Sequence, residues 1–132
     1  MAARPVTTRA RIEPAERRRR GAAGEERAAR LLSDAGLQLL YRNYRCRLGE
    51  LDLVARDGAT LVVAEVRWRS TERFGGAAAS ITWSKRRRIV AATRHLLTCN
   101  PRLQSLNVRF DALLIHGADE PIEWLQAAFD AY

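Results

Sequence analysis

The sequence predicts an α/β fold, a mixed central β-sheet flanked by helices. Three observations carry that expectation. Two stretches, Pro14 to Ala35 and Thr82 to Cys99, repeat apolar residues at steps of three and four, as helices do. Between them, two apolar runs flank Asp57-Gly58, the strongest short-range signal for a β-hairpin. After them, Asn107 to His116 carries two distinct faces at period two, as a strand does.

The elements follow in order. Residues 1–13 carry Pro5, threonines and arginines without apolar periodicity and read as a disordered basic arm, leaving 14–132 as a single domain. In the first helix Glu25, Ala28, Ala29, Leu32 and Ala35 share the inner stripe, and Gly36 stands where a C-cap belongs. Leu37 to Tyr44 reads as a first strand. The hairpin strands follow, Gly49 to Arg56 and Ala59 to Arg69. Ser70 to Ser80, with Gly75-Gly76, reads as a loop placed to cover a substrate. Thr82 or Ser84 caps the second helix, whose inner stripe is Lys85, Ile89, Thr93 and Leu96, and Asn100-Pro101 ends it. Pro121 to Tyr132 fits either a short strand followed by a helical turn or one short helix. Trp68, Trp83 and Trp124 are expected in the core.

The chain has 132 residues, 47% of them hydrophobic, which suits one globular unit. No apolar run approaches the ~20 residues of a membrane span, and without an apolar h-region the N-terminal stretch is not expected to act as a secretory signal. Cys46 and Cys99 form no CxxC pair, so a cytoplasmic protein with reduced thiols is expected, with no membrane and no small-molecule cofactor among its partners. The net charge is +8, and Lys85 is the single lysine among 23 basic residues. Arginine bias alone raises such a count, but the acidic residues do not compensate, so a polyanion is the expected partner. No internal repeat, nucleotide-binding glycine pattern or Ser-His-Asp arrangement is readable.

The hairpin holds the chemistry. A carboxylate in a buried strand is costly unless it is paired, protonated or bound to a metal. With Asp57-Gly58 as the central pair of the turn, Asp52 faces Val63 and Glu50 faces Glu65, so Asp52, Glu65 and Arg67 project from one face. Asp52 and Glu65 would then be diagonal neighbours, roughly 7–8 Å apart at Cα. Two converging carboxylates suit Mg²⁺ or Mn²⁺ rather than Zn²⁺. Arg67 or Lys85 would hold a phosphate, and Arg67 stays protonated throughout. Arg45, Arg69, Arg87 and Arg88 are the candidate nucleic-acid contacts.

Gly24-Glu25-Glu26-Arg27-Ala28, Arg42-Asn43-Tyr44-Arg45, Gly49-Glu50-Leu51-Asp52-Leu53, Glu65-Val66-Arg67, Phe74-Gly75, Lys85 with its arginine run, and Arg109-Phe110-Asp111 together resemble the YraN family of small bacterial proteins of unassigned function. The likeness runs from about Gly21 to Phe129. It implies a restriction-endonuclease-like fold of the PD-(D/E)xK class, similar also to archaeal Holliday-junction resolvases. It implies Glu25, Asp52 and Glu65 as metal ligands and position 67 as the catalytic basic residue. Position 67 carries Arg where the nuclease motif has Lys. The expected function is therefore a metal-dependent endonuclease or nucleic-acid-binding protein acting on DNA, branched or flapped DNA included. The alternative is a catalytically inactive nuclease-fold module that binds nucleic acid or protein. Symmetric paired cuts would require a homodimer.

Overall fold

The computed structural model describes residues 14–68 and 81–131, apart from the side chains of residues 16–20. The predicted basic arm, Arg69 and the glycine-rich loop 70–80 lie outside the described residues. The order of elements is α1 (Pro14–Asp34), β1 (Gln38–Cys46), β2 (Gly49–Asp57), β3 (Thr60–Trp68), α2 (Trp83–Cys99), a 3-10 turn (Pro101–Leu103), β4 (Asn107–Ile115) and β5 (Glu123–Phe129). The strands form one five-stranded sheet in sequence order, parallel only between β3 and β4. A parallel pair needs a crossover, and α2 lies within it.

Each helix buries its apolar stripe on a different face. Ala28, Ala29 and Leu32 of α1 pack on Leu53, Ala55, Val62, Ala64 and Leu113. Ile89, Val90, Ala92 and Leu96 of α2 pack on Val54, Leu61, Val63, Phe110, Ala112 and Leu114. Both faces of β3 and β4 are therefore covered, which is why their apolar runs are nearly continuous. This is the predicted α/β, restriction-endonuclease-like architecture. Thr82 caps α2, its Oγ1 accepting from the Lys85 backbone N–H at 3.1 Å. Among the described residues no helix is long and apolar enough to cross a membrane.

Two expectations change and one left open is decided. The hairpin turn is one residue later than the Asp57-Gly58 reading: Asp57 pairs with Thr60, and Gly58-Ala59 are the central residues. Gly58 has φ +60°, while Asp57 and Ala59 are not in the left-handed region. An Asp-Gly centre would require positive φ at the aspartate too, whereas glycine in first place meets the demand with a single such residue. The register moves by two, so the faces are kept. The tail, open between strand and helix, is β5 paired antiparallel to β4. Asp111, fully buried, accounts for the choice. Its carboxylate accepts from Trp124 Nε1 and from the backbone N–H of Ala127, at 2.9 and 3.0 Å. Those bonds fix β5 where its register slips between Phe110 and Ala112 and Ala127 adopts φ +52°. Finally, Trp83 is not a core residue: it is 61% exposed at the start of α2.

Candidate functional site

The sheet forks where the hairpin carboxylates sit. The β2–β3 ladder ends at Leu53↔Ala64, while β2 continues against β1 to Gly49 and β3 continues against β4 to Trp68. One step beyond Leu53↔Ala64, Asp52 stands across from Glu65. The register thus sets them across from each other rather than diagonally, and their side chains share a hydrogen bond. The Val66 backbone N–H donates to Asp52 Oδ2 at 2.9 Å, so the side chain satisfies a donor that the ladder no longer serves.

β2 also turns over at this point. Leu53 packs in the α1 core and Leu51, two residues away, in the α2 core. Regular alternation would put both on one face. Asn43, between the pairs Arg42↔Leu53 and Tyr44↔Leu51 and hence across from Asp52, has φ +55°. Asparagine is among the few side chains that tolerate that region.

Glu65 is buried beside two cations: Lys85 Nζ lies 3.4 Å and Arg67 Nη1 3.9 Å from its Oε2. Burial pushes the Glu65 carboxyl up to about 7, and the neighbouring Asp52 charge adds to the rise against the pull of Lys85. Burial also raises Asp52, opposed by the hydrogen bonds from Val66 N–H and Glu65 and by the Lys85 charge. The bond between the two acids favours ionised Asp52 and protonated Glu65, so Glu65 holds the shared proton. Lysine in the first turn of a helix opposes the helix dipole. Glu65 offsets that cost.

Glu25 approaches from α1. Burial raises its carboxyl, a hydrogen bond with the Asn43 side chain lowers it, and the charges of Asp52 and Glu50 raise it again. Gly24 brings that helix turn close. A Cβ there would stand 2.6 Å from Ile115 Cδ1 and 2.7 Å from Trp68 Nε1, so a larger residue would have to displace those side chains or α1. On the other side of the fork, Arg45, Glu50, Lys85 and Arg88 line a cleft of about 360 Å³, where Arg45 Nε donates to Glu50 Oε2 at 3.3 Å. Arg87 is exposed on the outer face of α2.

The structure thus brings Asp52, Glu65, Arg67 and Lys85 into one group, sets Arg45 and Arg88 beside it, and holds Glu25 within electrostatic range through Asn43. Among the described residues no group of three His, Cys, Asp or Glu side chains is arranged to hold a metal ion. The donor chemistry nevertheless fits a hard divalent ion. Mg²⁺ is commonly held by one or two carboxylates and keeps several waters, and a cation would favour the ionised form of both acids, which burial disfavours.

Asn43 and Gly24 carry the geometry, yet the sequence reading assigned them no role. An asparagine inside a strand-like run is the signal for the first, because asparagine is depleted in strands. The test is Asn43→Gly, which keeps the left-handed backbone and removes the amide. Its stability is expected within about 1 kcal/mol of the parent by urea unfolding, since relief of strain and loss of the bond oppose each other. The Glu25 carboxyl, followed by carbon-detected NMR, is expected to titrate higher. An unchanged Glu25 titration would remove Asn43 from the site.

The family model described as uncharacterised protein family UPF0102 matches residues 24–115, a span that includes Glu25, Asp52, Glu65, Arg67 and Lys85. The chain is similar to UPF0102 protein XCV0816 of Xanthomonas euvesicatoria, 48% identical over 118 residues, covering 89% of this chain and 97% of the relative. It is 52% identical to a UPF0102 protein of Dechloromonas aromatica over 112 residues, 85% of this chain and 89% of that one. It is 44% identical to UPF0102 protein lpg2994 of Legionella pneumophila over 112 residues, 85% and 95%.

Proposed function

The chain belongs to the uncharacterised protein family UPF0102, the YraN family, and from that premise we propose that it is a Mg²⁺- or Mn²⁺-dependent endonuclease acting on DNA. The observation that carries the reading is the opposed pair Asp52 and Glu65, with Lys85 Nζ 3.4 Å from Glu65 at the end of a basic cleft. Two carboxylates raised by burial and a lysine against one of them are expensive to assemble and serve no packing purpose.

Asp52 and Glu65 would hold the ion, which when bound supplies an activated water and neutralises charge on a phosphoryl oxygen. Lys85 would bind the scissile phosphate. The ammonium that the nuclease motif places on β3 comes here from α2, because Arg67 stays protonated and can clamp a phosphate but not move a proton. Val66 N–H orients the Asp52 carboxylate, and Arg45 and Arg88 draw the phosphate backbone into the cleft. Asn43 keeps Glu25 turned toward the pair.

A second reading, DNA binding without cleavage, is favoured by Arg67 alone. One assay separates the two. Purified protein with Mg²⁺ or Mn²⁺ is mixed with labelled duplex, flapped and branched DNA. Cleavage that stops with EDTA is expected. No cleavage of any of these at micromolar protein in either ion would overturn the endonuclease reading, and retained binding would leave the second.

A further inference from the structure

Beyond the fork, β1 and β2 continue without β3 as a two-stranded ribbon, through Tyr44↔Leu51, Arg45↔Glu50 and Cys46↔Gly49. A two-residue turn, Arg47-Leu48, closes it. The ribbon lies against α2. Leu51 packs in the α2 core, and a Cβ on Gly49 would stand 2.7 Å from the Arg88 carbonyl oxygen. The residues on either side of the turn, Cys46 and Gly49, both line the basic cleft with Arg45, Lys85 and Arg88. Arg47 and Leu48 therefore form a tip at the margin of that cleft, on a backbone held by a helix.

Leu48 is 47% exposed. A single exposed apolar residue is ordinary on a protein surface. What sets Leu48 apart is its company. Arg47 beside it, and Arg45 and Arg88 of the cleft, are exposed too. Arg45 donates to Glu50 at 3.3 Å yet its side chain stays 74% exposed, leaving its other donors for a phosphate. An apolar protein surface covering Leu48 would take these charges out of water, which is costly. Duplex DNA suits both at once. Its phosphates pair with the arginines, and its stacked bases offer apolar faces. Leucine serves some DNA-binding proteins as a wedge that enters a base step from the minor groove, unstacking it and kinking the duplex. Paired strands lie about 4.8 Å apart, so a two-residue tip matches a groove about 6 Å wide.

Resting on the reading of the cleft as a DNA site, we propose that the β1–β2 turn is a wedge: Leu48 enters a base step of duplex DNA from the minor groove, while Arg47, Arg45 and Arg88 hold the flanking phosphates. The substrate is then duplex DNA that deforms readily, with pyrimidine–purine steps favoured over stiff adenine tracts.

The test is binding in EDTA, so that it needs no cleavage. 2-Aminopurine, which brightens when it unstacks, is placed in a duplex at a central thymine–adenine step or within a central adenine tract. Brightening on adding the full chain is expected at the first and not in the second. Leu48→Ala should lose the brightening and bind the first duplex about tenfold more weakly. Its salt slope should stay as in the parent, since phosphate contacts set the slope. Leu48→Met, which keeps an apolar wedge, should restore brightening and affinity. A duplex bound by the parent without brightening, or parent-like brightening and affinity in Leu48→Ala, would overturn the wedge. Equal brightening in the two duplexes would overturn the choice of substrate. Each of these results would leave duplex binding, and with it the endonuclease reading, standing. Absence of binding to every DNA would overturn both.

Discussion

Asp52→Asn is expected to abolish stabilisation by Mn²⁺ while leaving the metal-free protein at least as stable as the parent at neutral pH. An ion bound at about a hundred times its dissociation constant adds about 2.7 kcal/mol to folding, which for a domain of this size raises Tm by about 10 °C. Asparagine removes one of two anionic ligands, so that rise should vanish, and cleavage should fall about 10³-fold with the lost charge stabilisation. The metal-free comparison separates this from misfolding. Asn Oδ1 still accepts from Val66 N–H, and the repulsion between Asp52 and Glu65 is gone. A variant that melts far below the parent without metal, or that keeps its Mn²⁺ response, would sink the assignment.

The same pair predicts a pH dependence. Burial, and then the Asp52 charge, raise Glu65 from 4.5 to about 7, so between those values the native state binds more protons than the unfolded chain. Stability then falls as pH rises. The contribution is present in full below pH 4.5 and is lost as pH passes about 7 in metal-free buffer, a change of a few kcal/mol. Asp52→Asn removes the like charge, so its slope through this window should be shallower. Urea midpoints at several pH values read both.

How far the sequence went can be judged at Asp52, Glu65 and Trp83. The fold was legible because each element carries its own period, and the two faces of β4 are the two cores observed. The acids were legible because charge inside apolar strands is expensive. What failed were features set by tertiary approach. One residue of turn position, decided by the φ demand at Gly58, changed a diagonal pair into an opposed one. The strand inversion at Asn43 needs Leu51 and Leu53 to face different helices, which no local pattern encodes. Trp83 was expected in the core because tryptophan is usually highly buried. Yet it is the first residue of α2 and 61% exposed. Glu25 fell on the predicted inner stripe, but its reach toward Asp52 depends on the contact of Gly24 with Trp68 and Ile115.

Asp111→Ala is expected to cost about 3 kcal/mol, a large share of a typical stability of about 5–15 kcal/mol. The carboxylate is fully buried and accepts four hydrogen bonds. Arg109 donates two of them, Nε and Nη2 each at 2.9 Å, and those bonds followed by the Asp111 charge hold its guanidinium above its ordinary value. Removal strands three donors at once: Arg109, the Trp124 indole and the Ala127 N–H. Arg109 retains 24% exposure, so water recovers part of its loss, and the lower end of the range for a broken buried pair applies. β5 then loses the anchor of its bulge, and the stack of Phe110 on Phe129, ring centroids 5.0 Å apart, loosens with it. Asp111→Asn should recover only part, because its amide nitrogen meets donors. Asp111→Leu combined with Arg109→Met should cost less than Asp111→Ala alone, since replacing both partners leaves no buried charge. The Mn²⁺ response should persist in every folded variant, because Asp111 lies beyond β3 from the fork. A urea midpoint for Asp111→Ala within about 0.5 kcal/mol of the parent would refute the role. Loss of the metal response in a folded variant would instead make Arg109-Phe110-Asp111 part of the site.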